Sequence, residues 1–174
     1  MNHRFQMQIL VAVPLLIGAA IYQVITQPAN VQRLQTAKVT RIVDGDTVYL
    51  EGFTKSFRLI GIDTPESKRN ARAKSIAERT GQSLDSIVAE GKRASAFTET
   101  LLENKAVTIE WDVQHIDRYG RNLAYLILNG KNSSVEIARA GYADPLTIPP
   151  NVKYADKILA ASREAREAKR GLWR

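Results

Sequence analysis

Apolar residues recur along this chain with two different periods, and each period marks a kind of element. Lys38 to Val43 alternates every second position and predicts a strand. Asp44-Gly45 follows as a hairpin turn signal, and Thr47 to Leu50 is the return strand. Ser56 to Ile62 is apolar enough to lie centrally in a sheet, and Pro65 closes it because proline cannot continue a ladder. Ala106 to Asp112 predicts a fourth strand, with Val107, Ile109 and Trp111 on one face. Asn122 to Leu128 predicts a fifth, ended by Asn129-Gly130. Helical spacing fills the gaps. Ala71 to Arg79 predicts a short helix stopped by Gly81. A longer one, capped by Ser83 or Asp85, runs to about Asn104 with Ile87, Ala94, Phe97 and Leu101 in its core stripe. Ser133 or Ser134 is expected to cap a helix over Val135 to Ala140, and Lys153 to Arg170 forms the last. Asp144 to Asn151 holds three prolines and reads as an irregular loop.

The beginning of the chain follows neither period. Ile9 to Ile25 is almost wholly apolar, and no charge appears between Arg4 and Arg33. A weakly basic start before such a run is the pattern of an export signal. The run is also close to the roughly 20 residues that span a bilayer. Residues 1–26 are therefore read as a signal peptide or an N-terminal membrane anchor, 27–35 as a linker, and 36–174 as the folded domain. Five short strands with helices between and after them predict an α+β domain, a small barrel carrying helices. The five-stranded barrel with nucleic-acid affinity is the OB-fold.

Composition narrows the chemistry. With 174 residues, 44% hydrophobic, the chain is long enough for a real core without staples. It has no cysteine, which excludes disulfides, thiolate metal sites and cysteine nucleophiles. Its two histidines, His3 and His115, cannot build a histidine-rich metal centre. Any catalytic metal must be held by oxygens, which points to calcium, magnesium or manganese. A net charge of +7 and a pI near 9.8 make polyanions the natural partners, either nucleic acid or an anionic membrane.

Two clusters carry chemistry. Between Asp44 and Glu66, apolar strand residues surround Asp46, Arg58, Asp63 and Glu66, none of which belongs in a plain core. Carboxylates from separate strand ends can hold a hard cation, a third acid can act on water, and a guanidinium can grip a phosphate as a planar fork. The second cluster, Asp117-Arg118-Tyr119-Gly120-Arg121, lies in the loop before the fifth strand. Its arginines either meet a phosphate or decorate a loop.

Taken in order, Val43-Asp44-Gly45-Asp46-Thr47, Phe57-Arg58-Leu59, Asp63-Thr64-Pro65-Glu66, Ala94-Ser95-Ala96-Phe97-Thr98 and Asp117-Arg118-Tyr119-Gly120-Arg121 resemble the thermonuclease (staphylococcal nuclease) family. The resemblance runs from about Lys38 to Trp173. It implies an OB-fold barrel with about three helices and a calcium-dependent nuclease that cleaves DNA and RNA with little sequence preference. It also implies 3′-phosphate products, with no small-molecule cofactor and a monomeric enzyme. By matching position, Asp46, Asp63 and the Thr64 carbonyl would hold calcium. Glu66 would position or deprotonate the attacking water, Arg58 and Arg121 would contact the phosphate, and Tyr119 would line the nucleotide pocket. The family's loop lysine is Arg118 here.

Two departures from the family pattern change what is expected. The segment Ser67 to Glu90 is longer and basic at its start, through Lys68, Arg69, Arg72 and Lys74. Leu146-Thr147-Ile148 replaces the family's tyrosines, so stacking is expected either to be weaker or to be supplied by Tyr142 or Tyr154. The alternative is an inactive nuclease-like module that binds nucleic acid or protein, which would be expected to lack metal ligands or the glutamate. Export, or anchoring through residues 9–25 with the domain outside the cytoplasm, suits both the leader and a calcium-dependent nuclease.

Overall fold

The computed structural model describes residues 35–174, and the expectations for residues 1–26 and for the linker up to residue 34 lie outside them. The first strand, β1 (Gln35–Asp44), is ten residues long and serves two neighbours. Its first half pairs antiparallel with β5 (Ala106–Glu110) and its second half with β2 (Thr47–Leu50). Two register shifts within its pairing with β2 bend it. β2 continues to β3 (Phe57–Leu59), and β5 to β6 (Asn122–Leu128). A parallel pairing of β3 with β6 then closes a five-stranded barrel. This is the OB-fold α+β architecture that the strand count predicts. Val39, Val48, Phe57, Tyr125 and Leu126 fill it with no exposed surface.

Among the described residues, four helices and a final 3-10 turn surround the barrel: α1 (Ala71–Thr80), α2 (Leu84–Leu102), α3 (Ser133–Arg139), α4 (Ala155–Glu167) and Gly171–Trp173. Each start and stop has a local cause. Asn70 caps α1 by accepting from Ala73 N–H, and Gly81 ends it in the left-handed region. Ser83 caps α2. The cap of α3 is Asn132, whose side chain accepts from the N–H groups of Ser134 and Val135; this replaces the expected serine cap. Both serines are buried inside the helix instead.

Two further expectations need correction. The single strand predicted over Ser56 to Ile62 is two strands. Gly61 sits at φ +90°, where L side chains are strained, and a Cβ there would overlap Ile158 of α4. The chain therefore turns out of the barrel at that point and continues as β4 (Gly61–Asp63). Its partner is β8 (Asp144–Leu146), in the segment read as an irregular loop. Pro145 is tolerated because this two-stranded ribbon needs few ladder donors. Asn129 and Gly130 do more than end β6: they turn the chain into the two-residue β7 (Lys131–Asn132).

Candidate active site

Asp46 occupies the second position of the tight turn between β1 and β2. Thr98 of α2 donates its hydroxyl to the Gly45 carbonyl at 2.7 Å and pins that turn to the helix. Asp46 is buried, so its carboxylate needs internal partners. Oδ1 accepts from Thr47 Oγ1 at 2.9 Å. Oδ2 accepts from Thr64 N–H at 3.0 Å and from Thr64 Oγ1 at 3.1 Å. The β1–β2 turn is thereby tied to the residue that follows β4.

Arg58 comes from the centre of β3, where it stands opposite Thr47. Its backbone runs alongside Asp46, because Leu59 N–H donates to the Asp46 carbonyl at 2.8 Å. Arg58 Nη2 donates to Asp63 Oδ1 at 2.7 Å, while Nη1 makes ion-pair contact with Asp46 Oδ2 without hydrogen-bond geometry. One buried guanidinium thus lies between two carboxylates from different strand ends.

Glu66 lies just beyond, with both carboxylate oxygens held by residues that introduce α1. Oε1 accepts from Arg72 Nη1 at 2.8 Å and Oε2 from Asn70 Nδ2 at 2.6 Å. Arg72 also reaches Asp63, its Nη2 lying 2.7 Å from Oδ1 and 2.6 Å from Oδ2. Partial burial pulls the Arg72 pKa down, but hydrogen bonding and charge from Asp63, then Glu66 and Asp46, outweigh it and raise it. The backbone of Glu66 and Ser67 passes directly over Gly91 of α2, where any Cβ would overlap the Glu66 carbonyl.

The facing wall is the loop before β6. Asp117 organises it, accepting from Tyr119 N–H at 2.8 Å, Arg121 N–H at 2.9 Å and Arg121 Nε at 2.7 Å. Burial pushes the Asp117 carboxyl up, but the Arg121 backbone N–H, the Arg121 guanidinium and the Tyr119 N–H together hold it below the usual carboxylate range. With Nε engaged, Arg121 orients its two terminal nitrogens, which hydrogen-bond to none of the described residues. Tyr119 is 69% exposed, with the Arg118 and Arg121 guanidinium carbons 4.8 Å and 5.5 Å from its ring centre.

These walls enclose one cleft of about 850 Å³. All eight residues singled out from the sequence line it: Asp46, Arg58, Asp63, Thr64 and Glu66 on one side, Arg118, Tyr119 and Arg121 on the other. Tyr142 and Tyr154 do not, which corrects the expectation that they supply stacking. Tyr142 stacks on Phe97 at 4.8 Å, and Tyr154 packs edge-on against Tyr125 while its hydroxyl donates to Glu110. The cleft rim there is aliphatic, formed by Leu146 and Ile148. Sequence reasoning missed Asn70, Arg72 and Gly91. Arg72 was visible only as one member of a basic cluster.

The donors suit a hard cation. Asp46 and Asp63 converge on the same guanidinium, and both offer only oxygen. Among the described residues no cluster of three acidic or histidine side chains forms a closed cage. Two carboxylates completed by backbone and water oxygens is the ligand set the cleft offers.

A closed OB barrel presenting acids and arginines in one groove defines a protein built to handle phosphate esters. The family model for staphylococcal nuclease homologues matches residues 56–174. A thermonuclease of Staphylococcus hyicus is 37% identical over 142 residues, 80% of this chain and 76% of the relative. A thermonuclease of Staphylococcus intermedius is 36% identical over 138 residues, covering 78% and 74% respectively. Endonuclease YncB of Bacillus subtilis is 27% identical over 148 residues, covering 83% and 64%. The chain belongs to the staphylococcal nuclease family of hydrolases.

Proposed function

We propose that this protein is a calcium-dependent nuclease that hydrolyses phosphodiester bonds of DNA and RNA with little sequence preference and leaves 3′-phosphate ends. The observation that carries the reading is the placement of Arg58 between Asp46 and Asp63, facing the Arg121 wall across one cleft. Asp46, Asp63 and the Thr64 carbonyl would hold the ion, which supplies positive charge for the phosphoryl oxygens. Arg58 and Arg121 bind those oxygens from opposite sides, where charge grows as water attacks. Glu66, its carboxylate fixed by Asn70 and Arg72, orients the water or takes its proton. Arg118 and Tyr119 receive the neighbouring nucleotide.

Charge supports this assignment. Asp46, Asp63 and Glu66 face two guanidiniums, Arg58 and Arg72, which leaves one negative charge. One divalent cation and one phosphodiester then bring the total to zero. Low sequence preference fits a site whose cations grip phosphate, common to every nucleotide, and whose exposed ring offers a face to any base. The same proposal takes the enzyme as a monomer. Export, or anchoring through residues 9–25, remains part of the same proposal and is tested by fractionating the intact chain.

Plasmid nicking by the full chain, with calcium and then with chelator, tests the function. Nicking is expected with calcium, abolished by chelator and lost in Glu66→Ala. DNA binding without nicking would replace the enzyme with a binding module. Undiminished nicking by Glu66→Ala would remove that residue from the chemistry.

A further inference from the structure

Arg72 has no part in gripping the phosphate, yet it bonds two of the cleft's carboxylates, Asp63 and Glu66. Its Nη2 lies within 2.7 Å of both Asp63 oxygens, and its Nη1 donates to Glu66. Arg58 Nη2 shares Asp63 Oδ1. A carboxylate has about four lone-pair sites, and these arginines engage most of those on Asp63. The two arginines differ in mounting. Arg58 is buried in the barrel wall, whereas the Arg72 side chain is 48% exposed on the first turn of α1. Of the two, Arg72 is the one able to release Asp63.

We infer that Arg72 is a resident counter-ion that competes with the divalent cation for Asp63, and so sets the metal affinity of the site. This rests on the proposed metal role of Asp46 and Asp63. Arg72 is a positioning residue: it acts through Asp63 and Glu66 and touches no reacting atom. Arg69, three residues earlier, pairs with Asp85 outside the cleft and supplies a matched control of equal charge.

Calcium titration calorimetry on the full chain, without nucleic acid, tests the inference independently of turnover. Arg72→Gln is expected to bind calcium about three- to tenfold more tightly, the span of one or two partly exposed ion pairs. Arg69→Gln is expected to match wild type, and Asp63→Asn to lose binding. Circular dichroism on each variant confirms that it is folded. Unchanged or weaker affinity in Arg72→Gln, with Asp63→Asn still losing binding, would overturn the competition alone. Binding that survives Asp63→Asn, or none in any form, would overturn the metal reading and the competition with it.

Discussion

At the scale of single residues, the cleft is a set of charged groups whose neighbours leave each little freedom. Arg58 shows the consequence. Its fork spans two carboxylates, a geometry that lysine's single ammonium cannot reproduce. Arg58→Lys keeps the charge, so the fold should survive, but kcat/KM for DNA cleavage should fall roughly 100- to 1000-fold, the cost of one lost transition-state donor. Steady-state cleavage rates check this. Asp117 gives a pH signature instead. Its folded pKa is depressed, so the stability it contributes is present above its unfolded value of about 3.9 and is lost as pH falls through the folded pKa. Thermal midpoints of wild type and Asp117→Asn should therefore differ at neutral pH and converge in acid. Spacing marked Asp117 and Arg121 as loop residues with two possible readings, and only the family resemblance gave Arg121 a phosphate. Their pairing depends on how the loop closes, since Gly120 N–H donates to the Asp117 carbonyl at 3.0 Å, and spacing alone does not state that.

Elements were legible where one period dominated and hidden where tertiary contacts overrode it. The barrel strands and the stripe on α2 followed from alternation and helical spacing, because burial of one face imposes that repeat. The β4–β8 ribbon did not, since prolines around Pro145 signalled a loop and only the partner strand makes it a ribbon. The role of α1 was equally hidden: a run of basic residues does not say which one turns inward. Gly91 belongs to this scale, because it lets two elements approach. In sequence it is merely a weak helix residue, whereas in the fold it admits the Glu66 backbone against α2. Gly91→Ala improves helix propensity by about 1 kcal/mol. It also forces the Glu66 segment outward, an overpacking cost of about 1–3 kcal/mol. The net expectation is a modest fall in thermal midpoint with a larger fall in cleavage rate, read by melting and nicking on the same preparation. An increase in stability with full activity would mean that the segment yields freely.

For the whole molecule, the question is how a net charge of +7 is used. A diffuse positive surface draws any polyanion, whereas phosphates gripped in a cleft release a countable number of ions. The site offers three cations to nucleic acid: Arg58, Arg118 and Arg121. Binding of a short duplex by a Glu66→Gln variant, with calcium present and cleavage suppressed, isolates this from catalysis. Each phosphate neutralised contributes about −0.9 to the slope of log affinity against log salt, so the slope should lie between about −2 and −3. Arg121→Gln should make it shallower by about 1, and its weakening should be similar for duplexes of unrelated sequence. Lys131, exposed on β7 and absent from the cleft lining, is the comparison: Lys131→Gln should leave the slope in place. If both substitutions moved the slope equally, binding would belong to the overall charge. If neither did, Arg121 would face solvent and the second wall of the cleft would have no part in holding the chain that is cut.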